Sequence, residues 1–122
     1  MMEIFRRKQK PTLNVGDNAE QAARNYLERQ GLKLIEQNYR CKQGEIDLIM
    51  QDGETLVFVE VRYRNSTAFG SPLETVNRSK QRKITIATMH YLQKKGLGES
   101  LPVRFDVVGI TPGNTDWIKG AF

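Results

Sequence analysis

The two residue types that most often build sites of their own are nearly missing: the 122-residue chain carries one cysteine, Cys41, and one histidine, His90. A lone cysteine excludes an internal disulfide and points to a reducing compartment. One cysteine with one histidine also argues against a zinc centre of the usual kind, and His90 reads as a charged or helix-face residue. No apolar run approaches the roughly 20 residues of a membrane-spanning helix. The basic opening MMEIFRRKQKP has no apolar segment behind its charges, so no secretory signal is expected. Cytoplasmic residence without a membrane is the expectation. There are no internal repeats and no low-complexity segments, and the length suits one domain with a modest core. Negative charge is in deficit, with 14 acidic against 19 basic residues and a formal net charge of +5. That balance favours solubility and could attract a polyanion, without naming one.

What is present falls into a clear order. Residues 1–15 read as a loose basic arm, and residues 16–122 as a single domain. GDNAEQAARNYLERQ, residues 16–30, has the period of a helix, with Asp17 or Asn18 as its cap and Gly31 as its stop. A short strand is expected over 32–40. Residues 45–50 alternate polar and apolar as a strand does, Asp52-Gly53 signals a hairpin turn, and 56–64 read as the returning strand. After a loop at 65–73, a long helix is expected over 74–95, a strand over 103–110, a turn at Pro112-Gly113 and a last short strand over 116–120. The order α-β-β-β-α-β, with one further β, predicts an α/β fold whose mixed central sheet is flanked by helices.

The stretch GEIDLIMQDGETLVFVEVR, residues 44–62, places three carboxylates and an arginine among apolar residues. If Asp52-Gly53 forms the two-residue turn, Asp47 faces Phe58 and Glu45 faces Glu60. Glu45, Asp47, Glu60 and Arg62 then share one side of the ribbon, with Asp47 and Glu60 as diagonal neighbours. Ile46, Leu48, Met50, Val57, Val59 and Val61 point the other way. Like charges so placed cost stability and raise one another's pKa. A divalent cation would compensate; a solvated face with Arg62 paired to Glu60 or Asp47 would remove the problem altogether. Both readings stay open on the pattern alone.

Two helical charges weigh on that choice. Glu20 lies in the line Gly16, Glu20, Ala23, Leu27, and Lys80 interrupts the stripe between Val76 and Ile84. Both are able to reach the carboxylates, to snorkel outward, or to pair with each other. RSKQRK, residues 78–83, has four basic residues in six. Arg78, Arg82 and Lys83, with Arg40 and Arg64, are candidate contacts to a nucleic-acid backbone or an ordinary solvated surface.

GEIDLI, then FVEVRYR, then FG-P and Lys80 resemble the uncharacterised protein family UPF0102, the YraN-like proteins. The likeness runs from the Gly16/Glu20 helix through RFDVV at 104–108. That family is similar to the PD-(D/E)xK nucleases, which include restriction-endonuclease-like folds and Holliday-junction resolvases. The resemblance implies a restriction-endonuclease-like α/β core with a Mg²⁺ or Mn²⁺ site on its central hairpin. Asp47 would match the first motif acid, Glu60 the second, Glu20 the acid of the first helix, and Lys80 the family's helix lysine. Glu45 belongs to the GEID run as a further candidate ligand. Arg62 stands where a lysine is usual, and arginine cannot serve as a general base. It retains the ability to orient water or phosphate.

The expectation is a metal-dependent endonuclease acting on DNA, branched and single-stranded forms included, with DNA preferred to RNA on the strength of the resemblance. A homodimer would suit a junction substrate. A nucleic-acid-binding module with weak or no catalysis is the alternative, and a protein-interaction or assembly factor a further one.

Overall fold

The structure, a computed structural model, describes residues 15–65, 71–97 and 100–122. All but the last residue of the expected N-terminal arm lies outside the described residues. The elements are α1 (Val15–Arg29), β1 (Lys33–Cys41), β2 (Gly44–Asp52), β3 (Thr55–Tyr63), a 3-10 turn (Pro72–Thr75), α2 (Arg78–Lys94), β4 (Val103–Thr111) and β5 (Asn114–Ile118). The strands form one mixed sheet in the order β1-β2-β3-β4-β5. β3 and β4 run parallel across the α2 crossover; the other neighbours are antiparallel. None of the described helices is long and apolar enough to cross a membrane.

Both faces of the sheet are covered. Ala23 and Leu27 of α1 pack on Leu48, Met50, Val57, Val59 and Val108. On the opposite face Ala87 and Tyr91 of α2 pack on Ile46, Ile49, Leu56 and Phe58. The face that carries Glu60 is therefore not solvated, because α2 closes over it, and Leu56 through Glu60 is a continuous buried run.

Several boundaries differ from the sequence expectation. α1 begins at Val15, so Asp17 and Asn18 lie inside it and neither is its cap. The helix expected over 74–95 is two elements. Asn77 is extended and its side chain accepts the Lys80 N–H at 2.9 Å, which starts α2 at Arg78. Val76, before the break, still packs with Ile84 and Val107, which is why an apolar period runs across it.

The hairpin turn is also displaced. Asp52 pairs with Thr55, leaving Gly53 and Glu54 as the central residues. Gly53 alone has positive φ, 62°. Glycine at the first central position suits a type II′ turn, whereas Asp-Gly at the centre would need positive φ at both. The partners shift by two residues, so the faces are kept and the opposed residues change. Leu48 pairs with Val59, and the next step of the same register sets Asp47 across from Glu60 instead of Phe58.

The alternation expected along β2 breaks at that step. Ile46 belongs to the α2-side cluster, while Leu48 and Met50 belong to the α1 side. The cause lies on β1, where Asn38 has φ 56°, a conformation asparagine tolerates better than most residues. Gln37 before it faces α1, accepting from Arg24 Nη1 at 3.2 Å. Tyr39 after it faces α2, edge-on to Tyr91 and hydrogen-bonded to His90. Tyr39 pairs with Ile46 and Gln37 with Leu48, so the two strands change face together.

Candidate functional site

Asp47 sits at this change of face, and its carboxylate turns toward β3. Oδ2 accepts the backbone N–H of Val61 at 2.8 Å. A side chain thus takes an N–H just past the last regular β2–β3 pair. Glu20 approaches from α1 and hydrogen-bonds Asp47. Glu60, 4 % exposed, also interacts with Asp47. Lys80, one turn into α2, brings Nζ to 3.6 Å from Glu60 Oε2, and Arg62 brings Nε to 3.5 Å of the same oxygen.

The electrostatics follow from burial and like charge. Burial pushes the Asp47 carboxyl above its ordinary range. The Val61 N–H, Lys80 and the Glu20 hydrogen bond oppose the rise, and Glu45 adds to it. Glu60 is pushed up to about 7, first by burial and then by the Asp47 charge, with Lys80 and Arg62 pulling it back. Burial and like charge together therefore disfavour ionising both Asp47 and Glu60 at once.

Arg62 is held more firmly elsewhere. Its Nη2 donates to the Thr75 carbonyl at 2.9 Å. That carbonyl belongs to the 3-10 turn, which is seated by Pro72 against Gly109; a Cβ on Gly109 would lie 2.1 Å from Pro72 Cγ. Arg62 therefore ties β3 to the segment entering α2, and Lys80 is the more exposed of the two cations on Glu60.

Glu45 does not join the chain of carboxyls. It pairs across β1–β2 with Arg40, Nε to Oε2 at 3.2 Å. Among the described residues no three His, Cys, Asp or Glu side chains converge as a group able to hold a metal. Asp47 interacts with both Glu20 and Glu60. Their donors are carboxylate oxygens throughout, a hard set suited to Mg²⁺ or Mn²⁺, and two carboxylates suffice for a cation that keeps its waters.

Of the candidate backbone contacts, Arg40 and Lys83 line an open groove beside the site, and Arg78 and Arg82 are exposed on the first turns of α2. Arg64 is half-buried past the end of β3, where its N–H bonds the Ile110 carbonyl. Gly44, Lys42 and Thr75 are parts the sequence did not single out. Gly44 lies so close to α2 that a Cβ would stand 2.8 Å from the Lys83 carbonyl oxygen. The glycine of GEID was the available signal.

Comparison with known proteins gives a consistent answer. The family model described as "Uncharacterised protein family UPF0102" matches residues 19–110. A UPF0102 protein of Saccharophagus degradans is 53% identical over 107 residues, covering 88% of this chain and 91% of its own. One from Nitrosococcus oceani is 48% identical over 111 residues, covering 88% and 90%. One from Coxiella burnetii strain CbuK_Q154 is 50% identical over 111 residues, covering 90% and 92%.

Proposed function

The chain belongs to the uncharacterised protein family UPF0102, and from that premise we propose that it is a metal-dependent phosphodiesterase acting on nucleic acid, DNA before RNA. The observation that carries the reading is the pair Asp47 and Glu60. The buried Glu60 and the partly buried Asp47 interact across neighbouring strands, with Lys80 Nζ 3.6 Å from Glu60. A fold that needed only stability would not keep such a pair: like charges together are costly, and a packed apolar substitute is at least as stable. The resemblance to PD-(D/E)xK nucleases points to the same two residues and to a restriction-endonuclease-like fold.

Asp47 and Glu60 would hold Mg²⁺ or Mn²⁺. When bound, the cation supplies Lewis-acid polarisation of the phosphodiester and a water of lowered pKa. Glu20 keeps Asp47 oriented through their hydrogen bond. Lys80, on a long stem and only partly covered, would meet the charge that develops on the phosphate. Arg62 holds the loop and Glu60 in register, a role that arginine's lack of basicity does not impair. Catalysis would take place in the cytoplasm, where a lone Cys41 stays reduced.

A cleavage time course tests this on labelled duplex, single-stranded, flap and four-way-junction DNA, in Mg²⁺, Mn²⁺ or EDTA. The conservative variants Asp47→Asn and Glu60→Gln separate chemistry from folding. Cleavage that needs metal and falls at least about 100-fold in both variants supports the reading. Equal hydrolysis by wild type and Asp47→Asn defeats it.

A second reading, a nucleic-acid-binding module without turnover, draws on one observation: the arginine at 62, where the resemblance calls for lysine, is engaged by Thr75. Metal-independent binding with no product on any substrate would select it. No binding to DNA or RNA at low salt would leave the protein-assembly alternative.

A further inference from the structure

The groove beside the carboxyl pair has a composition of its own. The tip of the β1–β2 hairpin and the first turns of α2 border a wide-open groove of about 480 Å³. Arg40 and Lys42 line one wall, and Lys80 and Lys83 line the other. Among the described residues Glu45 is the one acid on it, and it is paired with Arg40. Among the described residues no aromatic side chain lines it. Lys80 belongs both to the groove and to the Glu60 ion pair, so the groove opens directly onto the candidate site. Its walls are held together by the contact of Gly44 with the α2 backbone.

We infer that this groove is the path of one nucleic-acid strand, bound through its phosphates and delivered single-stranded to Glu60 and Asp47. Its two cationic walls, one on the β1–β2 hairpin and one on α2, are placed to flank the phosphates of a single strand. Four cations without an aromatic platform recognise the backbone and leave the bases unread. Recognition is therefore tolerant of sequence and steep in salt. The delivery step rests on the nuclease reading; the groove itself is open to test without turnover.

Cys41 provides the test, because it lines the groove and is the sole cysteine of the chain. The full chain, in EDTA, is titrated with labelled dT12 and with a 12-base-pair duplex. Anisotropy gives binding, and the rate of Cys41 alkylation gives occupancy of the groove. Saturating dT12 should slow alkylation about fivefold or more, and the duplex at equal concentration much less. The exposed pair Lys42→Glu and Lys83→Glu, combined, should weaken dT12 binding at least about tenfold and flatten the log–log salt slope by about 1.4, from roughly 0.7 per lost cation. It should also abolish protection while leaving thermal unfolding unchanged.

The inference is overturned if dT12 binds and Cys41 reacts at its original rate, if the duplex protects equally, or if dT12 does not bind. Metal-dependent cleavage lost in Asp47→Asn, with Cys41 unprotected, keeps the nuclease and removes the groove. Protection without cleavage in either metal keeps the groove and removes the nuclease.

Discussion

Two buried carboxylates stand almost side by side in this sheet, and they live differently. Asp106 on β4 is fully buried and pairs with Val59; Glu60 is the next residue along β3 and is 4 % exposed. Asp106 accepts four N–H bonds: two from Arg104 at 2.9 and 3.0 Å, one from Trp117 Nε1 at 2.9 Å and one from the Gly120 backbone at 3.0 Å. Arg104 in turn reaches Asp52 at 3.1 Å, which pins the β2–β3 turn. Glu60 has a second carboxyl against it, and its two cations sit at 3.5 and 3.6 Å, beyond good hydrogen-bond length. Equal burial thus produces one carboxylate whose acceptor sites are filled and one left in conflict. Burial alone therefore does not distinguish the two; the unsatisfied Glu60 is the one that the proposed reading assigns a role.

The sharpest way to break this contrast is to remove the satisfied member. Asp106→Ala leaves the Trp117 and Gly120 N–H groups without their acceptor and Arg104 with Asp52 alone, and should cost about 3–5 kcal/mol of stability, read from urea unfolding. A loss below 1 kcal/mol would mean that the network holds nothing together.

Glu60→Gln should behave in the opposite way, and its effect should depend on pH. Glu60 titrates at about 7 in the folded chain, above its ordinary 4.5. Below 4.5 it is protonated in both states. Between 4.5 and 7 the unfolded chain ionises first, so folding loses stability as pH rises, and the loss is complete above the folded pKa. Glutamine does not titrate. In EDTA, wild type should therefore lose on the order of 2–3 kcal/mol relative to Glu60→Gln between pH 5 and pH 8. A pH-independent difference would remove the strain assigned to this pair.

Gly44→Ala touches neither carboxylate and tests the frame around the site. Its Cβ would press on the Lys83 carbonyl, costing about 1–2 kcal/mol and opening the groove, so Cys41 should react faster. An unchanged Cys41 rate would show that the hairpin tip accommodates the methyl. The smallest effect is expected from Arg62→Lys. It loses the bond to Thr75, about 1 kcal/mol or less, and should raise metal-dependent cleavage if a base at this position limits turnover. Unchanged cleavage would assign the cationic role to Lys80 alone.

Much of this site was legible early because it rests on local rules. Period-2 alternation put Glu60 and Arg62 on one face, and a charge breaking the stripe between Val76 and Ile84 singled out Lys80. The turn was harder to place. Asp-Gly marked it correctly, yet the choice between Asp52-Gly53 and Gly53-Glu54 depends on which backbone angles the glycine must supply. The tie between Asp52 and Arg104, 52 residues apart, is also outside any local window.

Sequence by itself determined the family, the order of elements, a mixed sheet between helices and the cast of charged residues, since periodicity and motif spacing are carried by neighbours along the chain. Tertiary structure alone decided that the charged face is covered by α2, that Asp47 turns to Val61 where Asn38 reverses the strands, and that Asp106 is satisfied while Glu60 is not. Those outcomes depend on partners distant in sequence, and the free energy of a buried charge is set by what the fold brings next to it.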